Sequence, residues 1–115
     1  MNIENLGNVS VSSEVIAKIA GLAALEIEGV SGLKETIASG IAKLIGKEVA
    51  SGGVVVSLEN DQVNIEMNII VKYGAPIPEV SFRVQQNVKN QVEKMTGKSV
   101  VSVNVNISDV QLPKD

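Results

Sequence analysis

The sequence predicts a two-layer α+β domain, an antiparallel sheet of three to four strands with helices on one face, in the order β-α-(α)-β-β-α-β. Three patterns carry this expectation. Residues 54 to 72 alternate apolar and polar side chains about an Asn-Asp turn, residues 80 to 95 repeat apolar residues at helical spacing, and residues 101 to 108 alternate again. Two helices over one sheet face is the simplest way to bury all three. The chain has 115 residues, a length suited to one domain spanning 1–115.

Val9 and Val11 alternate with Asn8, Ser10 and Ser12, a short first strand. Ser12 or Ser13 then offers a helix N-cap, with the carboxylate of Glu14 in the first turn. The helix is expected to run through Glu28, with Gly29 supplying the left-handed residue after it. Its apolar arc is Ile16, Ile19, Ala20, Ala23, Ala24 and Ile27, while Leu25 falls among the charged positions. Residues 31–53 form a variable amphipathic segment. Leu33, Ile37, Ile41, Leu44 and Ile45 recur at helical spacing among lysines, and a Ser51-Gly52-Gly53 hinge follows.

The clearest element is a hairpin. Val54, Val56 and Leu58 make one strand face, Asn60-Asp61 the turn, and Val63, Ile65, Met67, Ile69 and Val71 the return strand. Pro78 and Glu79 open a helix whose seam is Val80, Val84, Val88, Val92 and Met95, ended by Gly97. The last strand reads Val101, Val103, Val105 and Ile107 inward, and residues 111–115 are a polar tail.

Composition excludes several chemistries. There is no histidine and no cysteine, which removes the commonest general base, the commonest transition-metal ligand, thiol nucleophiles and disulfides. One Tyr, one Phe, no Trp and a net charge of −3 leave little for base stacking or phosphate attraction, so no nucleic-acid partner is expected. The first residues lack the basic and apolar regions of a signal peptide, and no apolar run reaches the roughly 18–20 residues of a membrane span.

No motif fills the gap. A phosphate-loop reading of Gly40 to Lys47 fails because five residues separate Gly40 from Gly46 and Glu48 stands where Ser or Thr would hold magnesium. Glu59, Asp61 and Glu66 near the hairpin cannot alone give the six or more oxygens a hard cation takes. No catalytic residue, metal site or cofactor is therefore expected. The lysine-flanked stripe of residues 31–53 lacks the dense basic face and aromatics of an interfacial helix, which favours protein packing over lipid.

The outward sheet face is richer. Asn64 and Asn68 on the hairpin, with Asn104 and Asn106 on the last strand, form an uncharged hydrogen-bonding surface suited to a partner. Leu25 and Phe82 each break the polar face of a helix, and together on one surface they would mark an interface.

Several strings carry a family resemblance. Residues 7–12, Glu14-Val15-Ile16-Ala17, Ile19-Ala20-Gly21-Leu22-Ala23-Ala24 and Glu28-Gly29-Val30 resemble the opening of the alkaline shock (envelope stress response) family of Gram-positive bacteria. The likeness resumes at Val71-Lys72-Tyr73-Gly74 and Ile77-Pro78-Glu79-Val80, and continues through Val92-Glu93-Lys94-Met95-Thr96-Gly97 and Val103-Asn104-Val105. Residues 31–53 match no family string, and Phe82 departs from the small or polar residue expected there. The resemblance implies a non-enzymatic cytoplasmic protein that assembles with itself and is held peripherally at the membrane by a separate anchored partner. The alternative is a small α+β binding module for a ligand or a nucleic acid, which fold alone does not decide.

Overall fold

A computed structural model describes residues 6–35, 43–45 and 48–114. The first helix, α1 (Ser13–Leu25), starts where the Ser12 hydroxyl accepts the Val15 N–H at 3.2 Å, satisfying one of the amide donors a helix start leaves orphaned. Its buried face is small: Ile16, Ala17, Ala20, Gly21, Ala23 and Ala24. Alanine and glycine let the helix lie close on the sheet, and a β-carbon at Gly21 would stand 3.1 Å from Leu33. The helix ends at Leu25, one turn earlier than the sequence predicts, with Glu26 as its cap.

Gly29, at φ +102°, turns the chain into β1 (Val30–Leu33). Two short strands follow, β2 (Lys43–Ile45) and β3 (Glu48–Ser51), then β4 (Val54–Glu59) and β5 (Gln62–Lys72). Asn60 and Asp61 join β4 to β5 with φ of 53° and 62°, the two left-handed residues of a type I′ hairpin turn. Helix α2 (Ile77–Thr96) buries Val80, Val84, Val88 and Val92, and the left-handed Gly97 stops it. It carries the chain over to β6 (Ser99–Gln111).

Among the described residues the six strands form one sheet. β5 is its axis. β4 pairs with its first half and β1 with its second along the same side, and β6 runs along the other side. The handover falls at Asn68, whose N–H donates to the Gly53 carbonyl while its own carbonyl accepts the Lys34 N–H. All pairings are antiparallel except β5–β6, which is parallel, as a crossover through a helix allows. The core lies between the two helices and the inward residues Val54, Val56, Val63, Ile65, Met67, Ile69 and Val71.

The α+β class stands, with a larger sheet than expected. The first strand does not form: residues 7–12 pair with nothing among the described residues, Val9 is 95% exposed, and Ser12 is taken as a cap. β1 instead occupies the free side of β5. Where a helix was expected over residues 31–53, the described parts are strands. Ser51 completes β3, and Gly52 and Gly53 form a turn rather than a hinge. The stripe positions Ile37 and Ile41 lie outside the described residues.

Two further corrections concern single side chains. Met95, in the last turn of α2, is 63% exposed, so the valine seam ends at Val92. Val101 points outward because the β5–β6 register slips between Val63 and Asn64, making Val100 the inward residue. One extra residue in a strand exchanges the two faces locally.

Candidate interaction surfaces

The outer sheet face gathers the four predicted asparagines. In the parallel β5–β6 register Asn64 lies beside Ser102, Glu66 beside Asn104, and Asn68 beside Asn106. Period-two alternation brings these side chains to the face opposite the helices. The Ser102 hydroxyl donates to Asn64 Oδ1 at 2.7 Å, and Asn106 Nδ2 donates to Asn68 Oδ1 at 3.1 Å and to Glu66 Oε2 at 3.4 Å. The result is a hydrogen-bonded strip in which Glu66 is the only charged member of three neighbouring pairs. A shallow hollow of about 180 Å³ opens beside it between Ser57, Asn64, Glu66 and Asn104.

Leu25 belongs to a different surface. It lines an open groove of about 560 Å³ between the outer flank of α1 and the β3–β4 turn, together with Val15, Lys18, Leu22, Leu33 and Gly52. Val15, Leu22 and Leu25 are 49%, 59% and 46% exposed. Sequence reading singled out Leu25 alone. The missed signal is the spacing of Val15, Lys18, Leu22 and Leu25, a second stripe at helical intervals beside the buried one.

Phe82 is 57% exposed on α2 and does not join Leu25. Asn87 fixes the contact between the helices, donating to the Ala23 carbonyl at 2.8 Å and to Glu26 at 2.9 Å. On the opposite flank of α2, Gln85 and Lys89 donate to the Val103 and Val100 carbonyls of β6. Phe82 precedes these two by three and seven residues, so it sits on the β6 side, with α1 and its groove beyond the other flank.

Electrostatics tie β6 in place. Glu93 accepts the Val100 N–H at 3.0 Å and the Lys89 ammonium at 2.9 Å. The backbone bond first, then Lys89, hold its carboxyl below the ordinary value. The Val110 N–H, then Lys34 at 3.3 Å, do the same for Asp109. Asp61 pairs with Lys98 at 3.0 Å, which uses the turn carboxylate as a strut between β5 and β6. Among the described residues no group of three or more acidic side chains is placed to hold a metal ion, and no helix is long and apolar enough to cross a membrane.

Comparison with known proteins places the chain. The MamM CTD, in its copper form, superposes with a TM-score of 0.51 over 88% of this chain and 98% of that one, at 13% identity, a likeness of fold alone. Uncharacterized protein YloU of Bacillus subtilis is 41% identical over 108 residues, 92% of this chain and 90% of the relative. YqhY of the same organism is 36% identical over 107 residues, 93% and 79% of the two chains. A stress response regulator gls24 homolog of Streptococcus pyogenes is 28% identical over 106 residues, 91% of this chain and 59% of that longer protein. The sequence signature of the alkaline shock protein 23 family, described as having a cell envelope-related function, matches residues 1–112. With that match spanning nearly its whole length, the chain belongs to the alkaline shock protein 23 family.

Proposed function

We propose that this protein is a non-enzymatic envelope-stress scaffold, which associates with copies of itself and is held at the cytoplasmic face of the membrane by an anchored partner. The observation that carries the reading is the exposed row of Val15, Leu22 and Leu25 along an open groove. A row of this kind fits the apolar stripe of a partner helix laid into the groove, with anchors three to four residues apart. Lys18 and Glu14 at its margin give such a helix charged rim contacts.

Chemistry on the chain supports the same reading. Without histidine or cysteine, a hydrolase would need a Ser-Lys or carboxylate pair in an apolar pocket. The exposed carboxylates Glu79, Asp61 and Asp109 and the partly buried Glu93 are instead engaged in ion pairs. The family's envelope-related description and the stress-regulator name of the streptococcal relatives support the envelope-stress part of this reading.

Two measurements test it. Light scattering coupled to size exclusion, across a hundredfold range of concentration, is expected to give a mass above one chain that rises with concentration. Fractionated cells are expected to hold the protein in the membrane pellet, released by alkaline carbonate as a peripheral protein is. A single-chain mass at every concentration counts against self-association, and full recovery from the soluble fraction counts against the anchored partner.

A further inference from the structure

β6 is an edge strand. It is 13 residues long and, among the described residues, pairs only with β5. Proteins blunt such edges because the open row of N–H and C=O groups is a template for another strand. Here the blunting is partial. Side chains of α2 cover the start of the edge: Lys89 and Glu93 take the Val100 carbonyl and N–H, and Gln85 takes the Val103 carbonyl. Alternation from Val103 turns the N–H and C=O groups of Val105 and Ile107 to the same outer side, and no described side chain covers them.

The uncovered stretch has a defined length and chemistry. Register slips at both ends, between the partners of Val63 and Asn64 and of Ile69 and Ile70, bound a regular run of residues 102–107. Bulges of this kind twist a strand and end its pairing. The run reads Ser, Val, Asn, Val, Asn, Ile and carries no charge. Val105 and Ile107 are only partly buried against the core, leaving apolar surface beside the open backbone.

We propose that residues 103–107 of β6 pair antiparallel with the same residues of a second copy, about a twofold axis through Val105. This rests on, and gives a surface to, the self-association proposed above. In that register Val105 faces its own copy, Val103 faces the partner's Ile107, and Asn104 faces the partner's Asn106. About six backbone hydrogen bonds form, because the outward groups of 103, 105 and 107 fall in the hydrogen-bonded pairs. The Val103 carbonyl keeps an acceptor site beside its bond to Gln85.

A second copy is the occupant the charges favour. Each chain carries net −3, so two copies approach best along an uncharged strip. The neighbouring charges are both engaged within the chain: Glu66 on β5 accepts Asn106 Nδ2 at 3.4 Å, and Asp109 beyond the run is paired with Lys34. On one face the pairing covers Val105 and Ile107, which are only partly buried in the single chain. On the other it sets asparagine amides, which both donate and accept, opposite each other. Such an isologous contact joins two six-stranded sheets into one continuous sheet.

The chain has no cysteine, so Val105→Cys in the full chain can form only an intermolecular disulfide. Directly paired Cα atoms lie about 5.5 Å apart, within disulfide range. Mild oxidation is expected to convert Val105→Cys to a covalent dimer on a non-reducing gel. Ser57→Cys, on β4 with β5 between it and the edge, stays single. In sedimentation, Asn104→Lys with Asn106→Lys opposes lysines across the axis and is expected to raise the dimer dissociation constant about tenfold. Asn104→Lys with Asn106→Asp alternates the charges and restores it. Self-association of the native chain without the Val105→Cys crosslink, or equal crosslinking of Ser57→Cys, overturns the edge pairing and leaves self-association standing. A native chain that stays single at every concentration overturns both, and leaves the edge to an extended segment of another protein.

Discussion

Glu93, partly buried between α2 and β6, joins the two elements. Its carboxylate receives the Val100 N–H and the Lys89 ammonium, so one side chain fastens the last turns of α2 to the first residues of β6. Both contacts favour the charged form and lower its pKa from the ordinary 4.5, as the Val110 N–H and Lys34 lower that of Asp109 from 3.8. A carboxyl depressed on folding contributes stability that is complete above its ordinary value. That contribution is lost as pH falls through the folded value. The native melting temperature is therefore expected to fall on acidification below about pH 4.5, as Glu93 and Asp109 take up their protons. Glu93→Gln removes the first contribution and should flatten that limb, with a modest effect at neutral pH because the pair faces solvent. Melting curves between about pH 5 and 3 that fall in parallel for both proteins would refute the linkage. At this scale the sequence was a good guide where alternation is strict. Asn64, Asn68, Asn104 and Asn106 share a face because each lies an even number of residues from its strand neighbour. It misled at Val101, where one slipped residue reversed the parity.

At the scale of elements, the valine seam of α2 and the turn at Gly29 decide whether the layers close. Val88 is fully buried in the middle of the seam, and Val88→Ala should destabilise the fold by about 1–3 kcal/mol, as aliphatic truncations in a core do. An unmoved thermal midpoint would mean that the seam is not packed as described. Gly29 is more sensitive. Its φ of +102° disfavours any side chain, and a β-carbon there would stand 2.8 Å from Val80 Cγ2 and 3.3 Å from Ala75. Gly29→Ala is thus expected to cost at least about 2–3 kcal/mol by denaturant melting, whereas an Ala at Gly74, whose β-carbon would meet nothing within 4 Å, bears only the backbone strain. A larger loss at Gly74 would reverse that assignment. Long elements with one period were legible: the β4–β5 hairpin, α2 and most of β6. The short ones were not. β1 offers only Val30 and Leu33 around Ser31 and Gly32, and pairs with β5 because tertiary contact outweighs its weak propensity. The same weakness explains Val9 and Val11, two valines without a partner strand once β1 holds that side of β5.

For the whole molecule, two surfaces on different sides imply two separable attachments. The β6 edge lies on one flank of the helix layer with Phe82 nearby, and the Val15, Leu22 and Leu25 groove lies on the other, beside β3 and β4. A protein that joined copies through one flank and gripped an anchored partner with the other would form a layer under the membrane without either contact blocking the next. Leu25→Ser combined with Leu22→Ser should leave folding intact, since both side chains are about half exposed already. Removing two apolar anchors from a groove is expected to weaken partner binding by about 2–4 kcal/mol, and to move most of the protein from the membrane pellet to the soluble fraction. Its mass by light scattering should stay that of the native assembly. Phe82→Ala should do the reverse if the ring borders the β6 contact, lowering the assembled mass at a given concentration while membrane recovery holds as long as single copies reach the partner. Loss of assembly and of membrane recovery together in the leucine variant would mean that one surface serves both purposes, with recruitment depending on assembly through avidity rather than on a dedicated groove.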